Sequence, residues 1–224
     1  MWAALALLGL AGSWACGAEE PEDGTTGERP GEASPSGATM ETDAAAAPDV
    51  LGEAPPASQG IPSVVLLEPS EGRPPTDAGE RPTPVVDQFG LAFIPRVLVV
   101  PEGTPVTFTN SEGSLTHNVH IRSLRGDSTV FNGDSAPGEA LIAELPEPGG
   151  YDVLCDMHPG MTGFLFVSPA PYAVAADADG AFRFDTVPPG RYLARLWTID
   201  GGFGEGREIS VGDAGTRIEL KSAG

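Results

Sequence analysis

The chain has 224 residues, with 12 Lys and Arg against 32 Asp and Glu, a formal net charge of −20. That balance excludes a nucleic-acid partner, which needs cations to displace counterions. Two Cys and three His exclude a disulfide scaffold, a four-cysteine zinc site and a multicopper cluster.

In chain order, residues 1–15 read MWAALALLGLAGSWA, an apolar run ending in small residues just before Cys16. This is the pattern of an export signal and its cleavage site. A Cys at that point resembles a bacterial lipoprotein signal, so 1–16 reads as a signal peptide with Cys16 the lipidated residue. Segment 17–60 is rich in Gly, Pro, Ala, Ser and Thr and carries ten acids against Arg29. Too little apolar area is available there to offset chain entropy, so a disordered acidic linker is predicted. As a flexible coil it would reach roughly 33–40 Å.

From residue 61 short apolar runs alternate with turn clusters, and no window holds a helical period. Strands are predicted at 63–67, 97–100, 105–110, 118–122, 139–145, 150–155 and 162–167. Others follow at 173–176, 181–184, 192–198, 207–211 and 216–220. Turn signals include Asn132-Gly133-Asp134, Pro148-Gly149-Gly150 and Pro188-Pro189-Gly190. Many short strands at this spacing predict an all-β chain of sandwiches or barrels.

The chemistry concentrates in Cys155-Asp156-Met157-His158-Pro159-Gly160-Met161. With Cys16 removed or lipidated, Cys155 has no disulfide partner, and a lone thiol in an oxidising compartment is a liability unless buried or metal-bound. The loop offers a thiolate, an imidazole and a thioether, which suit copper better than hard cations. A blue copper site takes two His, one Cys and a weak axial Met. His117, opening the run HNVHI, can supply the second imidazole from a neighbouring strand. His120 lies at an odd offset from His117, so a strand turns it to the other face. Met157 adjoins His158, and the adjacent pair does not suit a single ion.

These residues carry a resemblance to the cupredoxins, the small copper proteins that include plastocyanin and amicyanin. FIPRVLVVPEGTPVTFTN matches that family's opening strands, THNVHI the strand with the first His ligand, and YDVLCDMHPGMTGFLFV the closing ligand loop and last strand. The short Cys-x-x-His-x-x-Met spacing resembles amicyanin. The resemblance covers 83–168 and implies a Greek-key β-sandwich with one type 1 copper held by His117, Cys155, His158 and Met161. It implies that Asn118 ties the ligand loops together by hydrogen bonds, and that Leu115, Pro159 and Gly160 edge a docking patch around His158.

A second module follows. DADGAFRF and VPPGRY resemble the carboxypeptidase regulatory-like domain, a small transthyretin-like β-sandwich, over 169–224. Two placements stay open for the strand at 63–67, and for 61–82 around it: the first strand of this second sandwich, or an edge of the first. Trp197 and Tyr192 read as core residues. No nucleophile set or phosphate loop is present, so the chain reads as a non-enzyme with no small-molecule substrate. The resulting picture is an exported, membrane-tethered periplasmic or cell-envelope electron carrier. Residues 61–168 hold 14 acids against 5 Arg, which suits redox partners with a basic docking surface. The alternative is a protein that stores, delivers or senses copper without redox turnover.

Overall fold

The computed structural model describes residues 49–71 and 83–221. The apolar opening, Cys16, most of the predicted linker and 72–82 lie outside them. The described residues form seventeen strands and no helix, so the all-β prediction holds.

Nine consecutive strands make the first sandwich: β3 (Val85–Phe89), β4 (Ala92–Ile94), β5 (Val97–Pro101), β6 (Val106–Asn110), β7 (His117–Ser123), β8 (Ser128–Ser135), β9 (Ala140–Ala143), β10 (Gly149–Leu154) and β11 (Thr162–Ser168). One sheet runs β5-β11-β10-β7-β8 and the facing sheet β4-β3-β6-β9. Period-two alternation sends Val119 and Ile121, Tyr151 and Val153, and Leu165 and Val167 into the shared core with Phe93, Val106 and Phe108.

The second sandwich is built from both ends of the described chain. β1 (Val50–Glu53) and β2 (Val64–Pro69) precede the first sandwich; β12 (Tyr172–Ala175), β13 (Ala181–Phe184), β14 (Gly190–Thr198), β15 (Gly202–Phe203), β16 (Arg207–Val211) and β17 (Thr216–Glu219) follow it. One sheet is β13-β1-β17; the other is β12-β2-β14-β15, with β16 also paired to β14. The strand predicted at 63–67 is therefore β2, hydrogen-bonded between β12 and β14 and not at the edge of the first sandwich. Strands β3 to β11 sit between β2 and β12 in sequence, as an insertion.

The two sandwiches share a buried seam. Val65 and Leu67 of β2 face the core of the second sandwich, while Val64 and Leu66 face Phe164, Phe166, Ala170 and Trp197. Trp197 stacks on Phe164 at 5.7 Å and meets Phe166 edge-on at 5.1 Å. The run Val64 to Leu67 is apolar at every position because both of its faces are covered. Each large side chain at the seam contributes up to ~1.5–3 kcal/mol of hydrophobic stabilisation.

Three sequence predictions need correction. The linker predicted over 17–60 is too long, because Asp49 onward belongs to the fold and β1 is the middle strand of its sheet. Only Val50 supplies a buried aliphatic side chain of any size there; two flanking backbones hold the strand. A Cβ on Gly52 would lie 2.1 Å from the Ile218 carbonyl oxygen and 2.5 Å from the Phe182 ring. The composition that reads as linker is thus also the composition of a tightly flanked strand. Second, Asn132-Gly133-Asp134 is no turn: all three lie inside β8, opposite His120, Val119 and Asn118. Third, the strand list was incomplete, missing β3, β4, β8 and β15 as well as β1; β3 buries Gln88 where an apolar residue would have signalled the alternation.

Candidate metal centre

Antiparallel pairing places the end of β10 beside the start of β7, with Leu154 opposite His120 and Tyr151 opposite Ser123. The residue after β10 is Cys155. It continues the inward series Tyr151, Val153, so its thiol reaches the core end next to His117, the first residue of β7. The loop from Cys155 to Met161 then closes on itself. The His158 amide donates to the Cys155 carbonyl at 3.2 Å, Met161 N–H to the His158 carbonyl at 3.0 Å, and Cys155 N–H to the Met161 carbonyl at 3.2 Å. Gly160, with φ of 95°, supplies the left-handed backbone that this tight path requires.

Three donor atoms meet here. Cys155 Sγ lies 3.5 Å from His158 Nδ1 and 4.0 Å from His117 Nδ1, and the two Nδ1 atoms are 3.1 Å apart. The set can hold one metal ion. His117 is fully buried and His158 half-buried, so one imidazole faces the interior and the other the surface. Met161 is buried in the same core cluster as Cys155, whereas Met157 is 44% exposed. His120 points elsewhere: its Nδ1 is 2.9 Å from an Asp156 carboxylate oxygen and its Nε2 2.7 Å from the Thr129 hydroxyl.

Asn118 joins the two halves of the site. Its backbone N–H donates to Cys155 Sγ at 3.3 Å, and its side-chain oxygen accepts from the Asp156 N–H at 3.3 Å. Its amide nitrogen donates to Asn132 Oδ1 at 2.7 Å and Asp134 Oδ1 at 3.1 Å. That backbone N–H ties the start of β7 directly to the Cys155 side chain. Asn132 and Asp134, which the sequence presents as turn residues, hold the Asn118 amide instead. Glu112 also escaped the sequence reading. Its carboxylate stands 3.6 Å from His117 Nε2, and no motif marks it. On the strand leading to Cys155, burial pushes the Asp152 carboxyl above its usual range, against the opposing pull of Arg122. Burial also pushes the Tyr151 phenol up; its hydroxyl donates to the Glu147 carbonyl at 2.6 Å.

Residues 83–168 match the model of copper-binding proteins of the plastocyanin/azurin family. The chain is 31% identical to plastocyanin from Cucumis sativus over 83 residues, covering 33% of this chain and 83% of that protein. It is 36% identical to amicyanin-alpha from Methylorubrum extorquens over 66 residues, covering 29% of this chain and 55% of that one. Among solved structures, a Cu(I) amicyanin variant is 30% identical with a TM-score of 0.35, covering 38% of this chain and 82% of the other. A purple cupredoxin from Nitrosopumilus maritimus is 26% identical with a TM-score of 0.34, covering 38% of this chain and 99% of the other. One thiol and two imidazoles converging on a single point fit one type 1 copper ion. Through residues 83–168, this chain belongs to the plastocyanin/azurin family of copper-binding proteins, the cupredoxins.

Proposed function

We propose that the chain is an exported, membrane-tethered blue copper protein that carries single electrons between partner proteins, with His117, Cys155, His158 and Met161 as its metal ligands. The observation that carries this reading is the convergence of the Cys155 thiol and the two Nδ1 atoms. Copper, when bound, supplies a one-electron Cu(II)/Cu(I) couple. The protein's part is to keep its donors still. His117 and Cys155 are buried, the loop carries three backbone hydrogen bonds of its own, and Asn118 clamps it to β7. Donors that do not move between oxidation states keep the reorganisation cost of electron transfer low.

Half-buried His158 is the point of electron entry and exit, and exposed Leu115, Met157, Pro159 and Gly160 form the docking patch. The acidic charge around it steers a redox partner with a basic docking surface, an attraction that salt weakens. No small-molecule substrate is turned over. Cys16 is the lipid attachment point at the cell envelope, and the acidic segment before Asp49 is the tether. The second sandwich is a transthyretin-like structural module into which the cupredoxin is inserted. The test is a visible spectrum of protein produced from residue 17 onward and loaded with Cu(II). An intense thiolate-to-copper band, bleached by a mild reductant and restored by oxidation, is expected. A pale protein that binds only Cu(I) would assign it to copper storage or delivery instead, and no binding would overturn the site.

A further inference from the structure

We propose that Glu112 is a positioning residue for His117: its carboxylate accepts the imidazole Nε2–H and holds Nδ1 toward Cys155 and His158. This rests on His117 being a copper ligand. The His117 ring is fully buried, with Nδ1 turned to the other donors. Its Nε2 therefore faces away, and among the described residues it has no hydrogen-bond partner. Glu112 Oε1 lies 3.6 Å from it.

A buried N–H without an acceptor loses its water and gains nothing in return, so a small inward shift of the carboxylate is favoured. That carboxylate is well anchored. Its Oε1 accepts from the Gly90 N–H at 2.7 Å and the Leu91 N–H at 3.4 Å. The Glu112 N–H in turn donates to Asn110 Oδ1 at 3.0 Å, and the Asn110 amide donates to the carbonyls of Leu115 and Ser135. The loop between β6 and β7 is thus clamped around the ring. An acceptor at Nε2 places the ring proton there, leaves the Nδ1 lone pair free for a metal, and makes Nδ1 a stronger donor. A negative charge there also favours Cu(II) over Cu(I).

A plain structural role, pinning the Gly90–Leu91 turn, makes a different prediction, and two variants separate the two. Glu112→Gln keeps an oxygen for the turn and removes the charge; Glu112→Ala removes both. In the copper-free protein, proton–nitrogen NMR should show a slowly exchanging, downfield His117 Nε2–H, shifted upfield in Glu112→Gln and exchanging faster in Glu112→Ala. In the copper-loaded protein, both variants should keep the thiolate-to-copper band, raise the reduction potential and alter the pulsed-EPR coupling of the remote His117 nitrogen. Unchanged Nε2–H signal, remote-nitrogen coupling and potential in both variants would overturn the inference and leave Glu112 as a turn clamp. If wild-type protein gives no blue copper site, the ligand reading fails, and the NMR of copper-free protein alone decides whether Glu112 holds the ring. If Glu112→Ala does not fold, Glu112→Gln carries the comparison.

Discussion

Gly150→Ala should loosen the seam between the sandwiches while leaving the copper site alone. A Cβ at Gly150 would lie 2.5 Å from Cη2 and 2.6 Å from Cζ2 of Trp197, and 3.0 Å from the Phe164 ring. The indole cannot retreat freely, because Trp197 is in β14 and its ring is stacked on Phe164 and met edge-on by Phe166. Overpacking of this kind costs ~1–3 kcal/mol. For a domain of this size that is a drop in Tm of roughly 2–12 °C. Cys155 is five residues further along the chain, about 17 Å away at strand rise, so the blue band should not move. The assay is thermal unfolding of copper-free protein from residue 17 onward, followed by far-UV circular dichroism and by fluorescence. Trp197 is the single tryptophan after residue 14, so fluorescence reports the seam while circular dichroism reports all the strands. Both probes should give one coincident transition in wild type, shifted down together in the variant. A variant as stable as wild type would refute the close packing of Gly150 on Trp197. Two separated transitions would refute the shared seam as a source of cooperativity.

Cys155→Ser should abolish the thiolate-to-copper band with little change in circular dichroism; a surviving band would refute the ligand assignment. Met161→Leu, a near-isosteric change at a buried position, should cost less than ~1.5 kcal/mol and raise the reduction potential by removing the axial donor, as read by redox titration; an unchanged potential would refute Met161 as the axial ligand. His120→Gln should leave copper content at one per chain by metal analysis, because both ring nitrogens already face Asp156 and Thr129. A chain begun at Ile61 lacks β1, which uncovers Phe182, Phe184 and Ile218 and opens two sheet edges. It should lose more than the ~1.5–3 kcal/mol of Val50 alone, with a lower denaturation midpoint than a chain begun at residue 17.

The candidate site was legible in the sequence because its chemistry is local. Cys155, His158 and Met161 lie in one loop, and His117 opens a strand whose alternation predicts its facing. The supporting residues were not legible for the same reason in reverse. Asn132 and Asp134 meet Asn118 only through the register of β7 on β8, and in sequence they carry the composition of a turn. Glu112 meets His117 only because its loop folds back over the Gly90–Leu91 turn. In the fold, β2 was legible as a strand, since four consecutive apolar residues predict burial on both faces. Its partners stayed open between two placements, because the strands it pairs with lie more than a hundred residues away. β1 was hidden because its stability comes from two flanking backbones and a glycine, neither of which produces a hydrophobic pattern.

Strands β10 and β11 link the metal centre to the second sandwich. Their alternate residues do two jobs. Tyr151, Val153 and Cys155 face the core of the first sandwich and end in the thiol, while Gly150 on the same strand faces Trp197. Leu165 and Val167 face the first core, while Phe164 and Phe166 face the seam. The loop that holds Cys155, His158 and Met161 therefore joins two strands that meet the seam at Gly150, Phe164 and Phe166. A free cupredoxin sheet would have solvent on the face that the seam covers here. In this chain Val64, Leu66 and Trp197 cover part of that face. His158 is half-buried and Leu115, Met157 and Pro159 are exposed, and none of the four belongs to the seam.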